Sequence, residues 1–75
     1  MRPLYKIAAD VRMHWANVNY AAEPYLKAME QLDSIDDMYY YDSADMVVRY
    51  FLANANSFRG EDARRIKAEL RSMLK

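Results

Sequence analysis

In 75 residues the chain has no cysteine, one glycine, two prolines and one histidine, and each scarcity removes a class of answers. Without cysteine there is no disulfide, no thiolate metal site and no cysteine nucleophile. One glycine and two prolines are too few to punctuate a protein of many short strands, and no long stretch alternates strictly between apolar and polar residues. No run approaches the ~18 apolar residues of a membrane-spanning helix, and residues 1–6 lack the apolar run of a signal peptide, so the expectation is a cytoplasmic protein with no membrane partner. A chain this short buries only ~60% of the surface its unfolded form exposes, which leaves little material for a deep catalytic cleft.

What is present is apolar mass and polarised charge. Apolar residues make up 53% of the chain and aromatics 13%, ample for one plain core, so a single domain over 1–75 with no linker is expected and disorder is not. Eleven Lys and Arg balance eleven Asp and Glu, which excludes an indiscriminate polycation. The balance is a sum of unlike parts. Residues 1–18 carry net +2, residues 19–48 net −6 and residues 49–75 net +4.

Periodicity predicts an all-α fold, a compact bundle of three to four short helices at about 3–16, 21–32, 43–56 and 61–74. Leu4, Ile7, Ala8, Val11, Trp15 and Val18 recur at the spacing of one helical stripe, with Pro3 in the first turn, where its missing N–H costs nothing. Pro24 places the start of a second helix, with Ala22, Tyr25, Met29 and Leu32 as its apolar face and Leu26 and Ala28 on the flanks. Residues 33–42 read as a connection. Asp42 and Ser43 are caps for a third helix whose stripe is Ala44, Val47, Val48, Phe51, Leu52 and Ala55. Met46, Tyr50 and Ala53 make this helix apolar nearly all round, which suggests burial in mid-domain or at a homodimer contact. After Gly60 the fourth helix buries Ala63, Ile66, Leu70, Met73 and Leu74, with Glu61–Arg65 and Arg65–Glu69 at ion-pair spacing.

Catalysis has few candidates. His14 is the only imidazole, and Ser34, Ser43, Ser57 and Ser72 lie in no glycine-rich or strained turn, so no enzyme activity and no cofactor are expected. The acids from Asp33 onward fail as a calcium loop, because the sixth position is Met38 and the twelfth Ala44 where Gly and Glu are required. Contact is the better use of these residues. Tyr39, Tyr40 and Tyr41 lie among acids and cannot all point inward, and tyrosine supplies large contact area at little entropic cost. The predicted partner-binding face is therefore Asp36, Asp37, Tyr39, Tyr40, Tyr41, Asp42 and Asp45 with Met46, Arg49 and Tyr50. The runner-up is a nucleic-acid-binding flank of Arg59, Arg64, Lys67, Arg71 and Lys75, which carries no acid and gives a steep salt dependence. Pairing of the acidic and basic regions with each other is a third possibility.

The order of segments also resembles short open reading frames of phages and integrated mobile elements of Gram-positive bacteria. The stretches that carry the likeness are Ile7 to Trp15, Tyr20 to Met29 with Pro24-Tyr25-Leu26 at its centre, Leu32-Asp33-Ser34-Ile35, Asp42-Ser43, Arg49 to Ala55, and Arg59-Gly60 to Leu70. The resemblance implies an accessory protein made inside a bacterial host, binding and inhibiting or redirecting a host protein such as a defence nuclease. It carries over no catalytic or binding residue.

Overall fold

In the computed structural model, which describes residues 2–74, the first helix, α1, spans Leu4–His14. Pro3 stands at its cap in extended backbone and offers no capping side chain. A helix leaves its first N–H groups unpaired, and here a distant segment serves them: the Leu4 and Tyr5 amides donate to the carbonyls of Asp33 and Leu32 at 2.8 and 2.9 Å. Helix α2 spans Glu23–Met29, shorter than the predicted 21–32. Its entry is shaped by Asn19, whose side-chain oxygen accepts from the Ala21 amide and whose carbonyl accepts from Ala22 and Glu23. Of the face predicted around it Ala22, Met29 and Leu32 are buried, joined by Leu26 and Ala28 from the flanks, while Tyr25 is only half-buried.

Helix is not the state throughout. Residues 38–43 form an antiparallel hairpin, β1 at Met38–Tyr39 and β2 at Asp42–Ser43, with Met38 opposite Ser43 and Tyr39 opposite Asp42. Ahead of it the Asp37 carboxylate accepts from the Asp33 and Ser34 amides at 3.1 and 2.9 Å, closing a turn that leads the chain into β1. Helix α3, Ala44–Ala53, follows β2 directly, and Ser43 is its N-cap, accepting from the Met46 amide at 3.1 Å. Helix α4 spans Glu61–Met73. Gly60 precedes it at φ 108° and ψ −178°, a conformation essentially confined to glycine.

The result is a mostly helical fold of four short helices with one two-stranded hairpin. Helix α1 packs between α2 and α4, while α2 and the hairpin pack on α3. One continuous core joins Leu4, Ile7 and Val11 to Leu26 and Met29, Val47, Val48 and Phe51, and Ile66, Leu70 and Met73. Phe58, outside every predicted stripe, is fully buried and stacks on Trp15 at 5.0 Å between ring centroids. No polar or charged residue is buried among the described residues, so apolar packing holds the core together. The apolar stripe of α3 is spent inside the chain's own core, and only Met46, Tyr50 and Ala53 of its apolar residues face outward. No described helix is long and apolar enough to cross a membrane.

Candidate functional site

The hairpin makes an outward-facing site of the tyrosine run. Two residues, Tyr40 and Tyr41, form its loop, and a two-residue loop demands a left-handed backbone that glycine or asparagine adopts readily. Tyr40 occupies that conformation at φ 55°, the one non-glycine residue with positive φ among the described residues. A bulky side chain there is a genuine outlier. Strand alternation turns Tyr39 toward the core, where it is half-buried, and leaves Tyr40 79% and Tyr41 98% exposed. The Tyr39 and Tyr40 rings meet edge to face at 4.7 Å, which fixes the outward ring against the inward one.

Met38 is 60% exposed beside them, a residue that the reading of 33–42 as a connection left off the predicted face. A period-two pattern in Met38-Tyr39 is the signal that marks it, though two residues are too few to establish a period. On α3, Met46 and Tyr50 stand one turn apart and both are exposed, and the Tyr50 ring lies 5.5 Å from that of Tyr25. Because the hairpin packs on α3, these apolar groups belong to neighbouring elements.

The acids of this region have different duties. Asp36, ahead of β1, and Asp42, beside the loop, are both exposed. Asp37 is half-buried, and its Oδ2 caps a turn by accepting from the Asp33 and Ser34 amides. Asp45 and Arg49 form an i, i+4 ion pair at 2.6 Å on α3, so part of the predicted face is charge-neutral.

Elsewhere charges of opposite sign pair across elements. Asp10 is a hub whose carboxylate accepts from Arg65 at 2.9 Å and Arg2 at 3.1 Å, with His14 Nδ1 3.0 Å away. Hydrogen bonds from Arg65 and then Arg2 hold the Asp10 carboxyl below its ordinary range, against the opposing effect of burial. Arg2 also binds Glu69 at 2.6 Å and lowers its pKa, and Arg12 holds both Glu23 and Glu30, lowering that of Glu23. Arg65 therefore turns to Asp10 and Asp62, and Glu69 to Arg2, instead of forming the i, i+4 pairs predicted along α4. The single histidine is taken up in this network, its Nε2 lying 3.5 Å from Asp62.

The basic flank is equally defined. Arg59, Arg64 and Arg71 are exposed, while Lys67 is half-buried and donates to the Phe58 carbonyl at 2.6 Å with its ammonium 5.7 Å from the Phe58 ring centre. Burial, then Arg71, then Arg59 push the Lys67 ammonium below its ordinary value. Lys75 lies outside the described residues. Among the described residues no cluster of three or more His, Asp or Glu is placed to hold a metal ion. The chain matches no protein-family model, no curated protein and no solved structure.

Proposed function

We propose that this protein works by binding a host protein through the hairpin tip and the adjoining outer side of α3, as a phage-type accessory factor that inhibits or redirects its target, anti-defence action included. The observation that carries the reading is Tyr40: an aromatic ring kept outward at a backbone position glycine fills with less strain, beside a Tyr41 that is 98% exposed. Strain of ~1–3 kcal/mol at an exposed tip is offset only in part by the ring contact with Tyr39, and such outliers cluster at binding sites. Met38, Met46 and Tyr50 extend the apolar contact, and Asp36 and Asp42 edge it with charge suited to a basic partner surface.

The test is capture from bacterial lysate with wild-type protein, with Tyr40→Gly combined with Tyr41→Ser, and with Asp36→Lys combined with Asp42→Lys, the fold of each checked by circular dichroism. Loss of an anchoring tyrosine costs ~2 kcal/mol of binding, roughly thirtyfold in affinity, so a specific partner drops out of both variant captures. It persists with Lys6→Ala, an exposed position on α1. An unchanged set of captured proteins for both variants defeats the reading.

A further inference from the structure

The flank of α4 opposite its ion-paired side carries positive charge that no ion pair among the described residues neutralises. At 100° per residue, Arg64, Lys67 and Arg71 share one flank of α4, and the loop before it adds Arg59. Among the described residues neither Arg64 nor Arg71 forms a side-chain ion pair, and the Arg59 side chain donates only to the Asn56 carbonyl. Two of the acids of α4 are directed elsewhere, Asp62 to Arg65 and Glu69 to Arg2, and Glu61 lies in the first turn, where the helix dipole favours it. Lys67 ties Phe58 to α4 and so keeps the neighbouring Arg59 on this side, and after burial it is Arg71 and then Arg59 that disfavour the Lys67 charge. A neutral protein that gathers like charges on one flank while Arg2, Arg12, Arg49 and Arg65 are ion-paired retains a local field for something outside itself.

We infer that Arg59, Arg64 and Arg71, positioned by Lys67, form a docking surface for the phosphate backbone of duplex nucleic acid, separate from the tyrosine hairpin. Three considerations select that occupant. The outermost cations are guanidiniums, whose planar forks grip phosphate oxygens in pairs. The nearby aromatics, Trp15 and Phe58, are buried against each other, so no stacking platform for unpaired bases accompanies the cations. Beside Arg71 the Ser72 hydroxyl donates to the Glu69 carbonyl, and contact through the cations with the phosphate backbone carries no sequence preference.

Fluorescence anisotropy with a labelled, random-sequence DNA duplex tests the inference. Three phosphate contacts predict a log–log salt slope of about −2.7, equivalent to roughly a fortyfold loss of affinity between 50 and 200 mM salt. Arg64→Ala and Arg71→Ala each reduce the slope by about 0.9 with unchanged circular dichroism, and Lys6→Ala leaves it unaltered. Absence of binding at 50 mM salt, or a slope indifferent to both arginine variants, overturns the inference. So does equal or tighter binding of the matching single strand, and so does binding of polyglutamate in place of DNA, which assigns the surface to an acidic protein. Substitution of the tyrosine hairpin leaves the duplex affinity unchanged, so this surface and the hairpin reading fail independently.

Discussion

Two residues sit at backbone angles that side chains resist, and they differ in what they offer. Gly60, at φ 108°, has nothing within 4 Å of where a Cβ would stand, so crowding does not explain the glycine. Gly60→Ala is expected to destabilise the protein by about 1–3 kcal/mol from backbone strain alone, measured by urea denaturation; an unchanged midpoint contradicts this. Tyr40 breaks the same rule at φ 55°, with the ring contact to Tyr39 as its structural return. Tyr40→Gly removes a left-handed penalty of ~1–2 kcal/mol and gives back part of it through chain entropy and the lost ring contact with Tyr39. Stability should therefore hold or rise by up to about 1 kcal/mol while partner capture is lost. A clear loss of stability means that the Tyr39–Tyr40 contact anchors the hairpin. The sequence marks both positions unevenly. A lone glycine between two helical stripes is legible as a break, whereas three tyrosines in a row do not say which one turns the chain.

At the scale of elements, Ser43 joins the hairpin to α3, since it is both the last residue of β2 and the helix N-cap. Ser43→Ala is expected to cost about 1 kcal/mol, seen as a lower melting temperature, and to loosen the tyrosine tip with it. If melting is unaffected, the Ser43 hydroxyl is not what starts the helix. The cap was legible because its chemistry is local: Ser43 and the Met46 amide are three residues apart. The hairpin was not, because two-residue strands carry no readable period and only packing against α3 makes them worthwhile. Nor does local sequence reveal how α1 begins, with the Leu32 and Asp33 carbonyls taking the place of a capping side chain.

Over the whole molecule, ion pairs stitch α1 to α2 and α4, and they set the response to acid. Asp10, Glu23 and Glu69 all lose their protons more readily in the folded protein, from ordinary values of 3.8 for Asp10 and 4.5 for the two glutamates. A carboxyl whose folded pKa is depressed adds stability that is complete above its unfolded value and is lost as pH falls through the folded one. Thermal melts should therefore be flat down to about pH 5 and decline below it, with Asp10→Asn costing ~1 kcal/mol at neutral pH and weakening the acid dependence. A variant that keeps the full decline excludes Asp10 as the hub.

By itself the sequence determined that the chain is mostly helical, that its core is a set of single apolar stripes, and that its neutrality hides opposed charge. These are properties of residues within a few positions of one another, where helical periodicity and capping act. Tertiary structure decided the rest. It drew Phe58 onto Trp15, turned Arg65 away from its own helix toward Asp10, and set Tyr40 and Tyr41 outward on a hairpin. Each depends on where loops bring distant segments together, and burial and long-range Coulomb interaction are felt only once they meet.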